Sequence, residues 1–593
     1  MMCNTFGLLA PLKNIFMAIT SHQYGQQELI KARNESRWFY WGVGLFSCFA
    51  NLLLLTGPLY MLQIYDRVLS SRSEATLVAL TIVVVFLYAV MGLLDFARGR
   101  IMARVGARFQ ARLDRRVFDA MLRRSAVKQD PLAASAANDL EMIQRLMTSP
   151  VLMAFFDLPW TPIFLLGISL FHPWLGMLAL SGGAILIGFA LLNQLTTRVA
   201  GAKANQASFR ATQTAEHMRS EAEMIRALNM SAGAFERWQT LRNSALVNQL
   251  TNSDYSGGFT VMIKTFRLFL QSAMLGLGAY LVLQEQLTPG AMIAGSILLG
   301  RALAPIELAV GQWALVQSGR KGWKNLSKLL SETPPETQRT PLPIPKAQLE
   351  AQALTVFPPG EQTAALKSLT FSIPPGSAVG VIGPSGAGKS TLARTLTGVW
   401  PPAGGKIRLD GAPLDNYASE VLGEHIGYLP QRVQLFDGTI AENIARLSPD
   451  RPPEHIIEAA QKAAAHEMIL SFPDGYDTQV SAFGGQLSGG QIQRIGLARA
   501  LCGDPVIVVL DEPNSNLDHE GGLALNAAIR ALKAEGKTVL IMAHRPAAIQ
   551  ECNLLLMLDG GQCKAFGPKE DVLKSTVQNY QALAQPSPSK EAT

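Results

Sequence analysis

The sequence predicts two joined fold classes: a membrane all-α domain of six transmembrane helices, then an α/β P-loop domain. Three observations predict them. Long apolar runs crowd the first half of a chain that is 48% hydrophobic and 16% charged, where ordinary soluble proteins carry ~25% charge. In the second half, apolar strand patterns alternate with helical ones, the mark of a mostly parallel sheet flanked by helices. Between one such strand and helix stands Gly383-Pro384-Ser385-Gly386-Ala387-Gly388-Lys389-Ser390, a G-x-x-x-x-G-K-[ST] pattern in the context a phosphate-binding loop requires.

At 593 residues the chain is too long for one core. Its net charge of +7 is not clustered among aromatics, so nucleic acid is excluded as a partner and most bases are assigned to membrane topology. Cys3, Cys48, Cys502, Cys552 and Cys563 have no metal spacing and read as thiols of a reducing compartment.

Residues 1–37 form an N-terminal leader. Its apolar piece Leu8–Ile19 is interrupted by Lys13 and followed by no cleavage site, so it is not a signal peptide. An amphipathic surface helix and a loosely ordered leader both fit. Residues 38–330 hold six runs long enough for ~30 Å of hydrocarbon: Trp38–Leu62, Ala75–Leu94, Val151–Leu170, Leu175–Leu192, Phe259–Val282 and Pro289–Leu315. The connections after the second and fourth are long and rich in arginine, including Arg98, Arg104, Arg116, Arg124, Arg198 and Arg219. The positive-inside rule places them, and both termini, in the cytoplasm. Helical periodicity at Phe109, Leu113, Val117 and Met121 carries the helices beyond the bilayer. Arg301, within the sixth run, is either a substrate-pathway residue or a packing and snorkelling one. Asp157, opening the third, reads as a partly buried structural or gating group that could border the same pathway. Lys264 and Arg267 belong near the cytoplasmic boundary.

A proline-rich linker, 331–348, cannot continue a helix. The nucleotide-binding domain spans 349–580, and 581–593 is a flexible tail. In the loop, glycines let backbone amides converge on phosphate oxygens, and the helix opening at Lys389, Ser390 and Thr391 adds its positive end. Lys389 is placed for the β- and γ-phosphates and Ser390 for Mg²⁺. The apolar run Val506–Leu510 ends in Asp511-Glu512, two carboxylates at the tip of a buried strand where ligands bind. Asp511 suits the Mg²⁺ shell and Glu512 the attacking water. A second run, Thr538–Ala543, ends in His544, which could contact the γ-phosphate or be structural. Gln431 is suited to sense metal and water.

Leu487-Ser488-Gly489-Gly490-Gln491, with Gln493-Arg494 and a helix behind, resembles the signature of ABC transporter ATPases. The phosphate loop, Gln431, Asp511-Glu512, Asp518 and His544 stand in that family's order. The resemblance implies ATP with Mg²⁺, and Ser488, Gly489, Gly490 and Gln491 serving the ATP held by a second subunit, with Asp518 in the inter-subunit loop. A chain with one such domain is then a homodimer. Phe357 is implied as the aromatic on adenine, although a strand-end phenylalanine is as often core. Six spans ahead of the ATPase resemble a type I ABC exporter half-transporter, whose coupling helices would fall at Ala137–Met147 and Arg219–Met230.

Pro58-Leu-Tyr-Met-Leu-Gln-Ile-Tyr-Asp-Arg67, Phe156-Asp-Leu-Pro-Trp160 and Asp511–Asp518 resemble the ATPase/permease of bacterial type I secretion systems, in the branch exporting proteases, lipases and haemophores. That implies ATP-driven export of an unfolded polypeptide with a C-terminal signal across a Gram-negative inner membrane. It also implies a periplasmic membrane fusion (adaptor) protein, an outer-membrane duct and the lipid bilayer as partners. A lipid or peptide exporter without adaptor or duct is the rival. Residues 1–37 are too few for the papain-like peptidase domain of some relatives. Many exporters place a glutamate before the signature; this chain reads Val480-Ser-Ala-Phe-Gly-Gly-Gln486, and that glutamate's contact does not carry over.

Overall fold

The computed structural model describes residues 24–576 apart from 129, 337, 338, 340, 341, 482–486, 518, 544 and 545. The leader before residue 24, the tail, Asp518 and His544 therefore lie outside the described residues. The chain divides between Pro335 and Glu336 into two compact units.

In the first unit, six segments among the described residues are long and apolar enough to cross a bilayer: Arg37–Ser71, Glu74–Val127, Pro150–Phe171, Pro173–Ser220, Ser231–Leu283 and Pro289–Gly311. Each overlaps one apolar run of the sequence. The first span comprises α1 (Arg37–Leu53), α2 (Thr56–Gln63) and a π-helical turn, Ile64–Val68. The second is α3 (Glu74–Val127), followed by α4 (Pro131–Met147). The third is α5 (Pro150–Asp157), a 3₁₀ turn at Leu158–Trp160 and α6 (Thr161–Phe171). Then come α7 (Pro173–Ser220), the short α8 (Ala222–Ala227), α9 (Ser231–Leu283), α10 (Pro289–Gly311) and α11 (Trp313–Glu332).

Proline explains the breaks in the first and third spans. Pro58 and Pro162 lack an N–H and crowd the carbonyl four residues earlier. Those carbonyls belong to Leu54 and Leu158, where the helices interrupt.

The 54 residues of α3, 48 of α7 and 53 of α9 each run roughly 70–80 Å at ~1.5 Å per residue, against ~30 Å of hydrocarbon. Phe109, Leu113 and Val117 of α3 are buried with Leu140 and Ile143 of α4, Leu326, Leu329 and Leu330 of α11, and Leu29 from the helical residues 24–34. A second core joins Phe164 and Ile168 of α6, Leu175 and Leu186 of α7, Met274 of α9, and Leu299 and Leu303 of α10.

The two coupling-helix candidates fare differently. Ala137–Met147 is no separate element but most of α4, whose Leu140 and Ile143 are taken up in packing. The chain turns earlier, where Asp130 caps the helix by accepting from the Leu132 amide at 2.8 Å and Pro131 fills the first helical position. Arg219–Met230 contains α8, a short helix between two long ones.

The second unit is built on a six-stranded sheet. Its strands are β3 (Ala378–Ile382), β6 (Ile426–Leu429), β9 (Ile507–Asp511), β10 (Thr538–Met542), β11 (Leu554–Asp559) and β12 (Gln562–Pro568), in the order β12-β11-β3-β10-β9-β6. All pairings are parallel except β12 on β11. Val508 and Leu510 face one core with Ile495 and Ile529; Ile507 and Val509 face the other with Leu392 and Leu369. An antiparallel sheet, β1 (Leu349–Val356), β2 (Leu366–Ile373), β4 (Gly404–Leu409) and β5 (Ala412–Pro413), covers that second face, and β7 (Gly438–Thr439) and β8 (Gln479–Val480) form a short antiparallel pair. The parallel sheet was expected; this additional sheet was not.

Candidate nucleotide site

Parallel register gathers the site. Leu429 lies opposite Leu510, Asp511 opposite Met542, and Met542 opposite Val381. Gln431, Asp511-Glu512 and the loop from Gly383 thus leave β6, β9 and β3 at the same end of the sheet, where open α/β sheets bind ligands. His544 follows β10 but lies outside the described residues.

The loop needs glycine at its corners. Gly383 has φ 155° and a Cβ there would lie 2.2 Å from the Leu558 carbonyl oxygen; Gly388 has φ 102° and would meet the Ala365 oxygen at 2.7 Å. Between them come Pro384, Ser385, Gly386 and Ala387, and from Gly388 the helix α12 (Lys389–Leu396) begins, with Ser390 and Thr391 in its first turn. Lys389 is buried, and its Nζ donates to the carbonyls of Gly383 at 2.8 Å and Pro384 at 2.9 Å. Burial pushes its ammonium below the ordinary lysine range, while Glu512 and Asp511 pull it back up.

Asp511 is 2% exposed and accepts from the Ser390 hydroxyl at 3.4 Å. Burial holds its carboxyl above the ordinary range, and Glu512 adds to the rise against Ser390, Arg394 and Lys389. A hydroxyl and a carboxylate are hard oxygen donors that suit Mg²⁺, which takes one or two protein ligands beside phosphate and water. Among the described residues, no group of three or more His, Cys, Asp or Glu could hold a metal by itself. Glu512 stands at φ 52°, a left-handed conformation costly for a side chain of its size, and its N–H donates to Met542 O at 3.0 Å. Gln431 is exposed at the bend after β6. Phe357, just past β1, is 42% exposed, which rules out the core alternative.

The signature begins α13 (Gly489–Leu501). Ser488 caps it: its Oγ accepts from the Gln491 amide at 3.3 Å and the Gln491 Oε1 accepts from the Ser488 amide at 2.7 Å, a reciprocal box. Ser488 and Gly489 are exposed and Gly490 half-buried. This leaves a helix N-terminus, with its partial positive charge, open to an anion. Gln493, quoted with the signature but given no role, and Arg499, which motif reading passed over, anchor the helix. The buried Gln493 donates to Pro513 O at 3.1 Å, next to Glu512. Arg499 donates to Gln434 O at 2.9 Å, three residues past Gln431. The only sequence signal for either was a polar residue on an otherwise buried helix face.

In the membrane unit the two pathway candidates differ. Arg301 is exposed on α10. Asp157 is engaged: its Oδ1 accepts from Arg98 and from Asn51, both at 2.7 Å. Arg267 pairs with Glu307 at 2.9 Å across α9 and α10.

A phosphate loop, paired carboxylates and an exposed signature helix, behind six membrane-spanning segments, define a nucleotide-driven membrane transporter. Two family models agree: ABC transporter transmembrane region over residues 40–303, and ABC transporter over 366–515. The chain is 40% identical to the type I secretion system ATP-binding protein PrsD of Rhizobium meliloti (strain 1021), over 93% of this chain and 95% of that protein. It is 27% identical to the toxin RTX-I translocation ATP-binding protein of Actinobacillus pleuropneumoniae, over 91% and 77% respectively. A solved bacterial Atm1-family ABC exporter with ATP bound superposes with TM-score 0.78 at 22% identity, covering 93% of this chain and 99% of that one, a likeness of fold. The chain belongs to the ABC transporters, in the family of type I secretion ATP-binding proteins. It is an ATP hydrolase coupled to transport.

Proposed function

We propose that this protein exports an unfolded polypeptide bearing a C-terminal signal across the inner membrane of a Gram-negative bacterium, as the ATPase/permease of a type I secretion system. The observation that carries the reading is identity with PrsD along nearly the whole of both chains, membrane spans included. A homodimer closes head to tail, so that Ser488, Gly489, Gly490 and Gln491 of one subunit meet the ATP held on the other's phosphate loop, with Asp518 between the subunits. Phe357 stacks on adenine. Lys389 exchanges the two loop carbonyls it now holds for phosphate oxygens, whose charge favours its ammonium form. Ser390, Asp511 and Gln431 would hold Mg²⁺, which supplies charge neutralisation on the phosphates when bound. Glu512 orients the attacking water and His544 contacts the γ-phosphate. Closure and release drive alternating access in the membrane domain, with both termini cytoplasmic. Arg301 is the charged group suited to meet cargo. A periplasmic adaptor and an outer-membrane duct complete the route.

The test is ATP turnover of the full chain in lipid nanodiscs, titrated with an unfolded C-terminal fragment of a secreted protein and, separately, with lipid. A saturable response to the fragment alone supports protein export. A response to lipid alone overturns it in favour of lipid export.

A further inference from the structure

Two breaks in the membrane domain meet at one ionic knot. Asp157 is the last residue of α5, directly before the 3₁₀ turn of the third span. Its carboxylate takes Arg98 from α3, Nη1 to Oδ1 at 2.7 Å and Nη2 to Oδ2 at 3.4 Å, and Asn51 from α1 at 2.7 Å. Arg98 donates also to Ser47 Oγ at 2.9 Å and pairs through Nε with Asp95 at 2.9 Å. Asn51 donates as well to Ser47 O at 2.8 Å, three residues before the break at Leu54 and Leu55. Ser47 and Asn51 are buried, and the side chains of Arg98 and Asp157 are 14% and 18% exposed.

The far sides of both breaks pack on the apolar core of the bundle. Thr161, opening α6, donates to Ala302 O of α10 at 3.0 Å. Leu54, Leu55 and Trp160 pack on the apolar core shared by α6, α7, α9 and α10. Thus charge and amide contacts tie α1, α3 and α5 together beside two proline-made interruptions, while α5 also packs directly against α10. Hinges are short irregular segments that absorb backbone rotation between packed bodies. An apolar seam would hold three helices as well, since a buried ion pair is a poor source of stability compared with well-packed hydrophobic residues. What an ion pair adds is a contact that forms and breaks in discrete geometry.

Resting on the alternating-access reading above, we infer that Arg98 and Asp157 are positioning residues of the transport cycle, a latch that closes the paired breaks of the first and third spans in one state and opens in the other. Asn51 and Ser47 hold the latch in register with the first break.

Locking the latch tests this. Asn51 and Asp157 have short side chains in direct contact, so Asn51→Cys/Asp157→Cys, in a Cys48→Ser background, can be oxidised to a disulfide in the full-length transporter in nanodiscs. At least a tenfold fall in ATP turnover on oxidation, recovered with reductant at unchanged ATP affinity, is the expected result. Disulfide formation with unchanged turnover overturns the latch. Should the cysteine pair fail to assemble, Arg98→Met/Asp157→Leu decides, because paired apolar replacement preserves packing. Turnover changed about three- to tenfold at native melting temperature and ATP affinity supports the latch; native turnover overturns it. Glu512→Gln run in parallel separates the readings, since turnover surviving there sinks the ATPase assignment and not the latch.

Discussion

Glu512 sits one residue beyond a strand buried along its whole length, in a backbone conformation that side chains of its size rarely adopt. Strain of this kind, on the order of 1–3 kcal/mol, persists where surrounding structure over-determines it. Glu512→Gln keeps the shape and removes the base. ATP turnover should fall about 10²–10⁴-fold while nucleotide affinity, followed by fluorescent-nucleotide titration, stays within a few-fold. Lys389→Ala should do the reverse and weaken binding itself, because the buried cation proposed to meet phosphate is lost. Asp511 has a pH signature. Its folded carboxyl lies above the ordinary 3.8, so an unfolded chain ionises first. Without metal, stability then declines as pH rises from that value to the folded one, and is flat above. In the proposed role Asp511 would hold Mg²⁺ as the carboxylate, and the metal would displace that proton. Calorimetric Mg²⁺ affinity with ATP present should therefore rise with pH through this window and level off, and Asp511→Asn should flatten the dependence.

Elements, more than single residues, decide what a sequence reader can see. The phosphate loop was legible because every determinant lies within eight consecutive residues, and Gly388→Ala should abolish nucleotide binding through its clash with the Ala365 carbonyl. The six spans were legible because a bilayer imposes length and hydropathy locally. By contrast, β1 pairs with β2 and β4 across intervening chain, with register shifts in both pairings, and no local periodicity announces such partners. α4 shows a related limit: helical periodicity located a helix, but only packing against α11 shows that its apolar stripe is already occupied. Asp157 was legible as a charge in an apolar stretch, while its partner, 59 residues away, had been counted among bases that merely set topology. Pro58 stands in one of the quoted stretches, yet it reads as an ordinary feature of a transmembrane run until the interruption four residues earlier is seen.

For the whole molecule, the composite-site reading makes a prediction that a self-contained ATPase does not. Lys389→Ala and Ser488→Asp should each silence a homodimer. In a mixed dimer that closes head to tail, both lesions fall in one site and the other site is intact. Co-expression should then recover about a quarter of native turnover, given random pairing and independent sites, whereas a site closed within one chain recovers none. The long helices add a mechanical consequence. With roughly 70–80 Å of continuous α-helix and ~30 Å of it in hydrocarbon, α3, α7 and α9 carry on the order of 40–50 Å outside. A helix of that reach is a lever with a short inner arm. Tilting it by about 5° where it enters the bilayer sweeps its outer end by ~4 Å, so motions too small to repack the membrane core are large at the tips, and large strokes at the tips return to the core divided down.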